Sequence, residues 1–418
     1  MTKYVLKSVK KSKLIIIATW VLYCASYFIR TCYAATIAPL AEEGIYSKGQ
    51  IGLIGTAFFV CYGVGQLISG LIGDKINPFF MVFFGSVLGS VCCFLMPVAG
   101  SLGMLIGVWA VNGFFQSMLW SPILRIFSET IDKSLSEKAI LNIALSLPVG
   151  TVTAYLMSSL IIKYYNWKYV FIFGGAVVII AVLFAGAALS ASKNSIEKVT
   201  VTAQKSAEIQ SRADKKGLLP LALSSGLFVI MIPSFLHGMM RDGITNWVPA
   251  MISEVYGVST SFSIFVTIAL PIFNAFGAYL VTPLYKKFGE NEMKTAGVTG
   301  AVVLLPLFLM LFMNKLPVFA VIVLLAITTS VMYALNYLII SLVPVRFSKY
   351  GCTSGISGIL NSGAHIGCAL SSYGFGAIAE KTGWNAVIIV WIVSSLLIIV
   401  SSFLVNKKWG RFCHNKNA

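Results

Sequence analysis

Charged residues are scarce in this chain of 418 residues, at only 11% of the sequence. Soluble globular domains typically carry about 25% charged residues, so a soluble fold is excluded. Acidic residues are especially few, 14 against 31 lysines and arginines, and there are three histidines. Hydrophobic residues make up 58%. This balance predicts a protein that crosses a membrane many times, with the lipid bilayer as a partner.

Sequence patterns for catalysis and metal binding are also missing. The eight cysteines lie mostly inside apolar runs, with no spacing typical of a zinc site or a disulfide framework. No motif pairs a nucleophile with a base, and no phosphate-binding glycine loop occurs. We therefore expect a protein that is not an enzyme and that holds no metal and no cofactor.

Apolar runs long enough to cross a bilayer are what the sequence does contain. Twelve such runs predict an all-α membrane protein with twelve transmembrane helices in two six-helix, pseudo-symmetric halves. The runs begin near Leu14, Ile51, Phe79, Leu102, Ala139, Trp167, Leu218, Phe262, Ala296, Leu316, Cys352 and Trp384. The first continues to about Leu40, too far for a signal peptide. The longest polar stretch predicts a linker, 192–217, between an N-terminal half, 1–191, and a C-terminal half, 218–418.

The basic residues indicate which side of the membrane each loop occupies. Twelve spans place both termini on one side, and most lysines and arginines fall on that side. Only five fall on the other: Lys48, Lys163, Lys168, Lys315 and Lys381. Cytoplasmic loops carry the excess of positive charge, so we expect a multi-pass cell-membrane protein with cytoplasmic termini. Because the basic residues are scattered between apolar runs, nucleic acid is not a predicted partner.

Two arginines, Arg30 and Arg241, remain inside predicted helices, each about ten residues from the outer helix end. A guanidinium at the bilayer centre costs about 2.5–3.5 kcal/mol on insertion scales, so it needs compensation. The acidic residues fall in outer loops or at cytoplasmic helix ends, except Asp242. The outer group is Glu42, Glu43, Glu254 and Glu380; the cytoplasmic group is Asp74, Glu129, Asp132, Glu137, Glu197, Glu208, Asp214, Glu290 and Glu292.

Asp242 follows Arg241 directly, and successive helical side chains point about 100° apart, so we expect no good ion pair between them. We therefore expect the substrate to supply the missing negative charge. The expected substrate is an anion with a phosphate group that is held by two planar guanidinium groups. The alternative is that carbonyls and water satisfy the arginines. His237 lies one helical turn before Arg241 and shares its face, and it is either a site residue or a structural histidine.

Four segments carry a resemblance to a known family. They are Tyr27 to Arg30, Ser69 to Pro78, Phe114 to Pro122, and Arg241 to Pro249. Over nearly its whole length the chain resembles the organophosphate:phosphate antiporters of the major facilitator superfamily, which include glycerol-3-phosphate and hexose-phosphate transporters. The contexts of Arg30 and Arg241 are the specific part, since the loop with Asp74 and Lys75 is shared across the superfamily.

The resemblance implies a two-arginine phosphate site and exchange of an organic phosphate for inorganic phosphate by alternating access. Tyr23, Tyr27 and Tyr62 match family site tyrosines, or are ordinary packing aromatics. Gln66 stands where a lysine is expected in the glycerol-3-phosphate carrier, and Ser146, Leu147 and Pro148 stand where that carrier has a histidine. Substrate identity therefore stays open, and neutral groups such as Gln116, Trp120 and Asn336 are expected to influence it.

The predicted substrate-binding residues are Arg30, Arg241, Tyr23, Tyr27, Tyr62, Gln66, Gln116, Trp120 and His237. The predicted partners are an organic phosphate and inorganic phosphate, and we expect a monomer. Two other functions stay open at this point. One is a proton-coupled symporter of sugar acids or other carboxylates, and the other is a membrane sensor of sugar phosphates.

Overall fold

The computed structural model describes residues 2–6, 8–72, 76–131, 135, 139, 142–143, 145–200, 218–347 and 353–414. Helices dominate these residues. The α-helices are α1 Val9–Glu42, α2 Lys48–Ile72, α3 Pro78–Leu95, α4 Leu102–Gln116, α5 Trp120–Arg125, α6 Ser146–Tyr164, α7 Trp167–Ser192, α8 Leu218–Ser225, α9 Leu227–Tyr256, α10 Thr260–Thr267, α11 Ala269–Asn274, α12 Gly277–Lys287, α13 Glu292–Val302, α14 Leu304–Met310, α15 Val318–Asn336, α16 Val343–Val345, α17 Thr353–Thr382 and α18 Trp384–His414.

Shorter elements complete the described chain. The 3-10 helices are Met96–Val98, Lys193–Ser195 and Met313–Lys315, and the π-helices are Ile126–Thr130 and Tyr337–Leu342. Two strands, β1 Thr2–Leu6 and β2 Ile196–Thr200, pair antiparallel, with Tyr4 opposite Lys198. This ribbon was not expected from the sequence, because neither strand shows a pattern that stands out from its polar surroundings.

Ten stretches of the described residues are long and apolar enough to cross a membrane. Two further helices, α6 and α17, lie at the predicted fifth and eleventh spans. Together they give a helix at each of the twelve predicted positions, and the all-α membrane fold is confirmed. Large apolar side chains such as Leu183, Leu305 and Leu404 are exposed, as expected of helix surfaces that contact lipid rather than water.

Helix ends follow ordinary capping chemistry. Asn77 caps α3 by accepting from the amide of Phe79, with Pro78 in the first helical position. Asn166 caps α7 in the same way through the amide of Lys168. Gly226 and Gly257 bracket α9 with positive φ angles of 78° and 62°, a left-handed conformation that glycine adopts without steric cost.

The chain forms two units by its internal contacts. Unit one comprises Met1–Tyr46, Leu53–Ala203 and Ser259–Ile268, and unit two comprises Ser47–Gly52, Gln204–Val258 and Ala269–Ala418. The unit boundaries differ from a simple cut at the linker, so the predicted division 1–191, 192–217 and 218–418 stays a prediction. Most of that linker, 201–217, lies outside the described residues.

In unit one, α1 is the central helix and packs against α6 and α7, while α3 packs against α4 and α7. Trp109, Tyr155 and Phe171 are fully buried there. A Cβ added at Gly150 of α6 would lie 2.8 Å from the Cβ of Tyr27, closer than side-chain atoms approach. Glycine at this position therefore lets α6 pack directly on α1, the helix that carries Arg30.

In unit two, α9 packs most extensively against α17, and also against α15 and α18. Glycines permit the close α9–α17 contact. A Cβ at Gly238 would lie 2.7 Å from the Cα of Ala364, and one at Gly367 would lie 2.9 Å from the amide nitrogen of Met239. Close helix packing thus depends on glycine at both positions.

We expect Gly367→Ala to destabilise the protein, since the added methyl meets the backbone of α9 and overpacking costs about 1–3 kcal/mol. Gly363→Ala, on the same helix, is the matched control, because no atom lies within 4 Å of its added Cβ. The check is thermal unfolding of both purified variants in detergent. Equal unfolding temperatures for the two variants would contradict the packing explanation.

A buried ionic cluster ties α12, α13 and α18 of unit two together. Glu292, with 0% of its surface exposed, accepts hydrogen bonds from Tyr285 Oη at 2.9 Å, Arg346 Nε at 2.7 Å and Trp409 Nε1 at 2.8 Å. The sequence placed Glu292 among the acids of cytoplasmic loops and helix ends. The structure places it at the start of α13 and shows a buried carboxylate with three donors, which is how a buried charge is stabilised.

Candidate functional site

Arg30 lies on α1 of unit one, against the aromatic rings of α2. Its Cζ is 4.9 Å from the ring centre of Tyr62 and 6.0 Å from that of Phe58. The two rings stack on each other with centres 5.8 Å apart, and Gln66 donates from Nε2 to the Tyr62 hydroxyl at 3.2 Å. A guanidinium over aromatic faces is a cation–π arrangement. The structure thus brings three of the predicted residues, Arg30, Tyr62 and Gln66, into one group.

Tyr23, Tyr27 and Trp120 form a second group in unit one. The Tyr27 hydroxyl donates to the Tyr23 hydroxyl at 3.3 Å, and their rings meet edge to face at 5.4 Å. Trp120 lies with its ring centre 5.4 Å from that of Tyr23. Tyr23 and Tyr27 are one helical turn apart on α1, as the sequence spacing predicted, and both are buried.

Gln116 has a different environment from these two groups. Its side chain is buried, and Nε2 donates to Asn112 Oδ1, one turn earlier on α4, at 3.4 Å. A Cβ added at Gly89 of α3 would lie 3.8 Å from Gln116 Cγ, so Gln116 lies at the α3–α4 contact. Its predicted role in binding substrate stays a prediction.

Arg241 lies on α9 of unit two with 9% of its surface exposed. Its Nε donates to Asp242 Oδ1 at 2.8 Å and its Nη2 to Asp242 Oδ2 at 2.8 Å. Its Nη1 donates to Asn336 Oδ1 of α15 at 2.7 Å. The ring of Tyr333, also on α15, is 5.6 Å from its Cζ. Every nitrogen of this guanidinium therefore has a hydrogen-bond acceptor within unit two.

The expectation that Arg241 and Asp242 make no good ion pair was wrong. The two side chains form a bidentate pair with both distances at 2.8 Å. The directions of the two Cβ atoms diverge, as the helix requires, but the arginine side chain is long enough to curl back around the helix. Inside an apolar span the cost of leaving two opposite charges separate is high, which favours the pair.

His237, one turn before Arg241, is fully buried and belongs to the same network. Its Nδ1 is 3.2 Å from the carbonyl oxygen of Pro233, and its Nε2 is 3.2 Å from Asn336 Oδ1. A neutral imidazole donates only one proton, and both contacts are to oxygen acceptors, so the neutral ring satisfies one of them at a time. His237 is therefore linked to Arg241 through Asn336, because both side chains contact Asn336 Oδ1.

Cys368 on α17 contacts the Asp242 carboxylate, with Sγ donating to Oδ2 at 2.9 Å. The sequence treated the cysteines as small buried hydrophobes, and no spacing signal pointed to this contact. Among the described residues, one ligand atom each of Asp242, His365 and Cys368 lies within 4.8 Å of the others. Because Arg241 already holds both carboxylate oxygens, we assign this cluster to the arginine's network rather than to a metal ion.

The family model described as Major Facilitator Superfamily matches residues 19–359. This chain belongs to the Major Facilitator Superfamily. It is 25% identical over 411 residues to the glycerol-3-phosphate transporter of Bacillus subtilis, covering 92% of this chain and 90% of that protein. It is 19% identical to the probable hexose phosphate transport protein of Chlamydia trachomatis, covering 90% and 87% of the two chains.

A solved structure shows the same fold. The bacterial homologue of the human lysosomal transporter Spinster, in an inward-facing and unoccupied conformation, superposes with a TM-score of 0.79 at 15% identity, over 97% of this chain and 99% of that one. The relatives support the resemblance to organophosphate:phosphate antiporters that the sequence motifs carried. This superfamily member is thus a multi-pass membrane transporter rather than an enzyme.

Proposed function

We propose that this transporter exchanges an organic phosphate for inorganic phosphate by alternating access. The observation that carries the proposal is the Arg241 group of unit two, a nearly buried guanidinium inside an apolar helix with fixed polar neighbours. A planar guanidinium suits the oxygens of a phosphate. The two relatives that match about nine tenths of the chain are named for glycerol-3-phosphate and hexose phosphate, which supports a phosphorylated substrate.

We assign phosphate recognition to Arg241 and, in unit one, to Arg30. Tyr62 and Gln66 border Arg30, while Tyr23, Tyr27 and Trp120 are proposed to contact the organic part of the substrate. His237 is proposed to act through Asn336, which holds Arg241. We also propose that both termini are cytoplasmic, from the distribution of basic residues, and that the transporter works as a monomer.

The test is counterflow in vesicles containing the purified protein. We expect vesicles loaded with unlabelled phosphate to take up labelled phosphate. After the carrier releases a labelled phosphate inside, it binds an unlabelled internal phosphate and carries it out, and it can then bind another labelled one. Vesicles loaded with sodium chloride are the control and should take up little. Adding glycerol phosphate, glucose 6-phosphate or a phosphoglycerate outside should then release the label, and the most effective compound identifies the substrate.

Other outcomes of this experiment select other functions. Uptake that depends on a proton gradient and ignores internal phosphate would select the symporter of sugar acids or carboxylates. Binding of a sugar phosphate without any counterflow would select a sensor. Either result would overturn the exchange proposal.

A further inference from the structure

Asp242 occupies one of the two edges of Arg241 that can hold an anion. Its two oxygens accept hydrogen bonds of 2.8 Å from Nε and Nη2 of Arg241, one of the two edges of a guanidinium that bind carboxylates and phosphates in bidentate fashion. The third nitrogen, Nη1, is directed to Asn336. A phosphate that takes the Nε–Nη2 edge of Arg241 must therefore displace the carboxylate.

Part of the pair is left uncovered by the helix packing. The Arg241 and Asp242 side chains keep 11% and 15% of their surface exposed, so neither is sealed in the helix packing. Asp242 is also fixed by Cys368, whose thiol donates to Oδ2. If Arg241 turns to a phosphate, the neutral thiol does not replace the positive charge of the guanidinium. His365, whose ring nitrogen lies within 4.8 Å of the carboxylate, is a neighbouring group whose protonation has to be distinguished from that of Asp242.

A carboxylate that loses its cationic partner within the membrane is costly in its charged form. Groups in that situation take up a proton and become neutral. We infer that Asp242 is a built-in anion that competes with the substrate for Arg241, and that it takes one proton from solvent when the phosphate displaces it. This inference rests on the proposed function, since it requires phosphate to bind Arg241.

The proton balance is compatible with exchange. Each phosphate binds together with one proton on Asp242, and that proton returns to solvent when the phosphate leaves and the carboxylate pairs with Arg241 again. Exchange of two such anions therefore moves no net proton, although binding at each side depends on pH.

The titratable groups around the carboxylate come from three helices. Arg241 and His237 lie on α9, Cys368 and His365 on α17, and Tyr333 on α15. The fourth helix packed on α9 is α18, which contributes the neutral Ser395, 3.6 Å from Met240 Sδ. The two histidines are the other groups that could accept a proton, so the experiment must separate them from Asp242.

The experiment measures phosphate affinity of the purified full-length protein between pH 6 and pH 8.5, for wild type and Asp242→Asn. Asparagine is close in size and removes the competing charge, so we expect phosphate to bind about 5- to 150-fold more tightly above neutral pH, the usual range of coupling between two ligands. We also expect the wild-type affinity to fall more steeply with pH, by an additional factor of about ten per pH unit, which corresponds to one proton. The ionisation of phosphate itself contributes equally to both proteins and cancels in this comparison.

The Asp242→Asn comparison separates the carboxylate from the two histidines, since both histidines remain in that variant. Glu290→Gln also turns a carboxylate into an amide, but at a side chain that is 61% exposed, so it is the matched control and should keep the wild-type pH slope. If Asp242→Asn binds phosphate more weakly with an unchanged slope, Asp242 only positions Arg241 and the inference is overturned. If the wild type does not bind phosphate at all, the proposed function fails and the inference fails with it.

A second measurement needs no variant, in case Asp242→Asn does not fold. Infrared difference spectra of the wild type with and without phosphate should show a new carbonyl band of a protonated carboxyl group, to which phosphate cannot contribute. Phosphate binding without this band would overturn the inference while leaving the proposed function intact.

Discussion

Replacing either intramembrane arginine by lysine should abolish phosphate exchange. At Arg241 the reason is geometric, because three guanidinium nitrogens make separate hydrogen bonds to Asp242 and Asn336. A lysine keeps the positive charge but concentrates it on one ammonium group. That group cannot keep the hydrogen bond to Asn336 and also bind two oxygens of a phosphate in a planar, bidentate arrangement. Losing one hydrogen bond to a charged group costs about 1.5–3 kcal/mol, and the lysine loses at least one, so we expect exchange to fall at least about tenfold.

The same substitution at Arg30 removes the flat contact with Tyr62. A guanidinium stacks on an aromatic face over its whole plane, whereas an ammonium is compact and strongly hydrated. We therefore expect Arg30→Lys to lose exchange as well. The measurement is labelled phosphate exchange in vesicles with equal amounts of each variant, after size-exclusion chromatography has shown that the protein is folded.

Arg411→Lys is the matched control for both variants. Arg411 is exposed on α18, so the same exchange of side chains there should leave transport at the wild-type rate. Normal exchange by Arg30→Lys or by Arg241→Lys would exclude that arginine from the phosphate site.

The second large effect is expected at Glu292, and it concerns stability. Glu292→Leu removes the acceptor of three hydrogen bonds and leaves Arg346, Tyr285 and Trp409 without their shared partner. Breaking a buried ion pair costs about 3–5 kcal/mol. We expect about 3 kcal/mol, the lower end, because the Arg346 side chain keeps 31% of its surface exposed and solvent offsets part of the loss. Unfolding of the purified variant in detergent, followed by tryptophan fluorescence, measures this.

Glu290→Leu provides the control for Glu292. Glu290 Oε2 is 3.8 Å from Arg346 Nη2, and its side chain is 61% exposed, so its removal should cost less than about 1 kcal/mol. The double variant Glu292→Leu with Arg346→Met should recover part of the lost stability, since the unpaired guanidinium is removed with the carboxylate. Equal destabilisation by the Glu290 and Glu292 variants would contradict the assignment of this cluster as a structural centre of unit two.

Much of the candidate site could be predicted because its charged and polar residues are unusual within apolar segments. Arg30 and Arg241 stand out because charged groups within a span are costly, and His237 was placed beside Arg241 by helical spacing alone. Tyr62 and Gln66 were each predicted as site residues, and the structure shows them in contact one turn apart on α2. Phe58, which also contacts Arg30, was not predicted, although it lies one turn before Tyr62 on the same face of α2.

The partners of these residues could not be predicted in the same way. We expected no good ion pair between Asp242 and Arg241. That expectation considered only the directions of the two Cβ atoms and left out the length of the arginine side chain. Cys368 and Asn336 reach the site from α17 and α15, more than 90 residues away along the chain. Glu292 was placed among the acids of cytoplasmic loops and helix ends, and its burial could not be predicted because its donors come from other helices and loops.

The sequence by itself determined the twelve helical positions and the two intramembrane arginines. The physical reason is that each span of a bilayer requires about 20 apolar residues and a backbone whose hydrogen bonds are made within the segment. Each helical segment meets both requirements by itself. The tertiary structure decided which groups neutralise the charges: Asp242 and Asn336 at Arg241, aromatic faces at Arg30, and Glu292 at Arg346. Those contacts depend on which helix faces meet and on side-chain conformation, and neither is encoded in the hydrophobicity of any one segment.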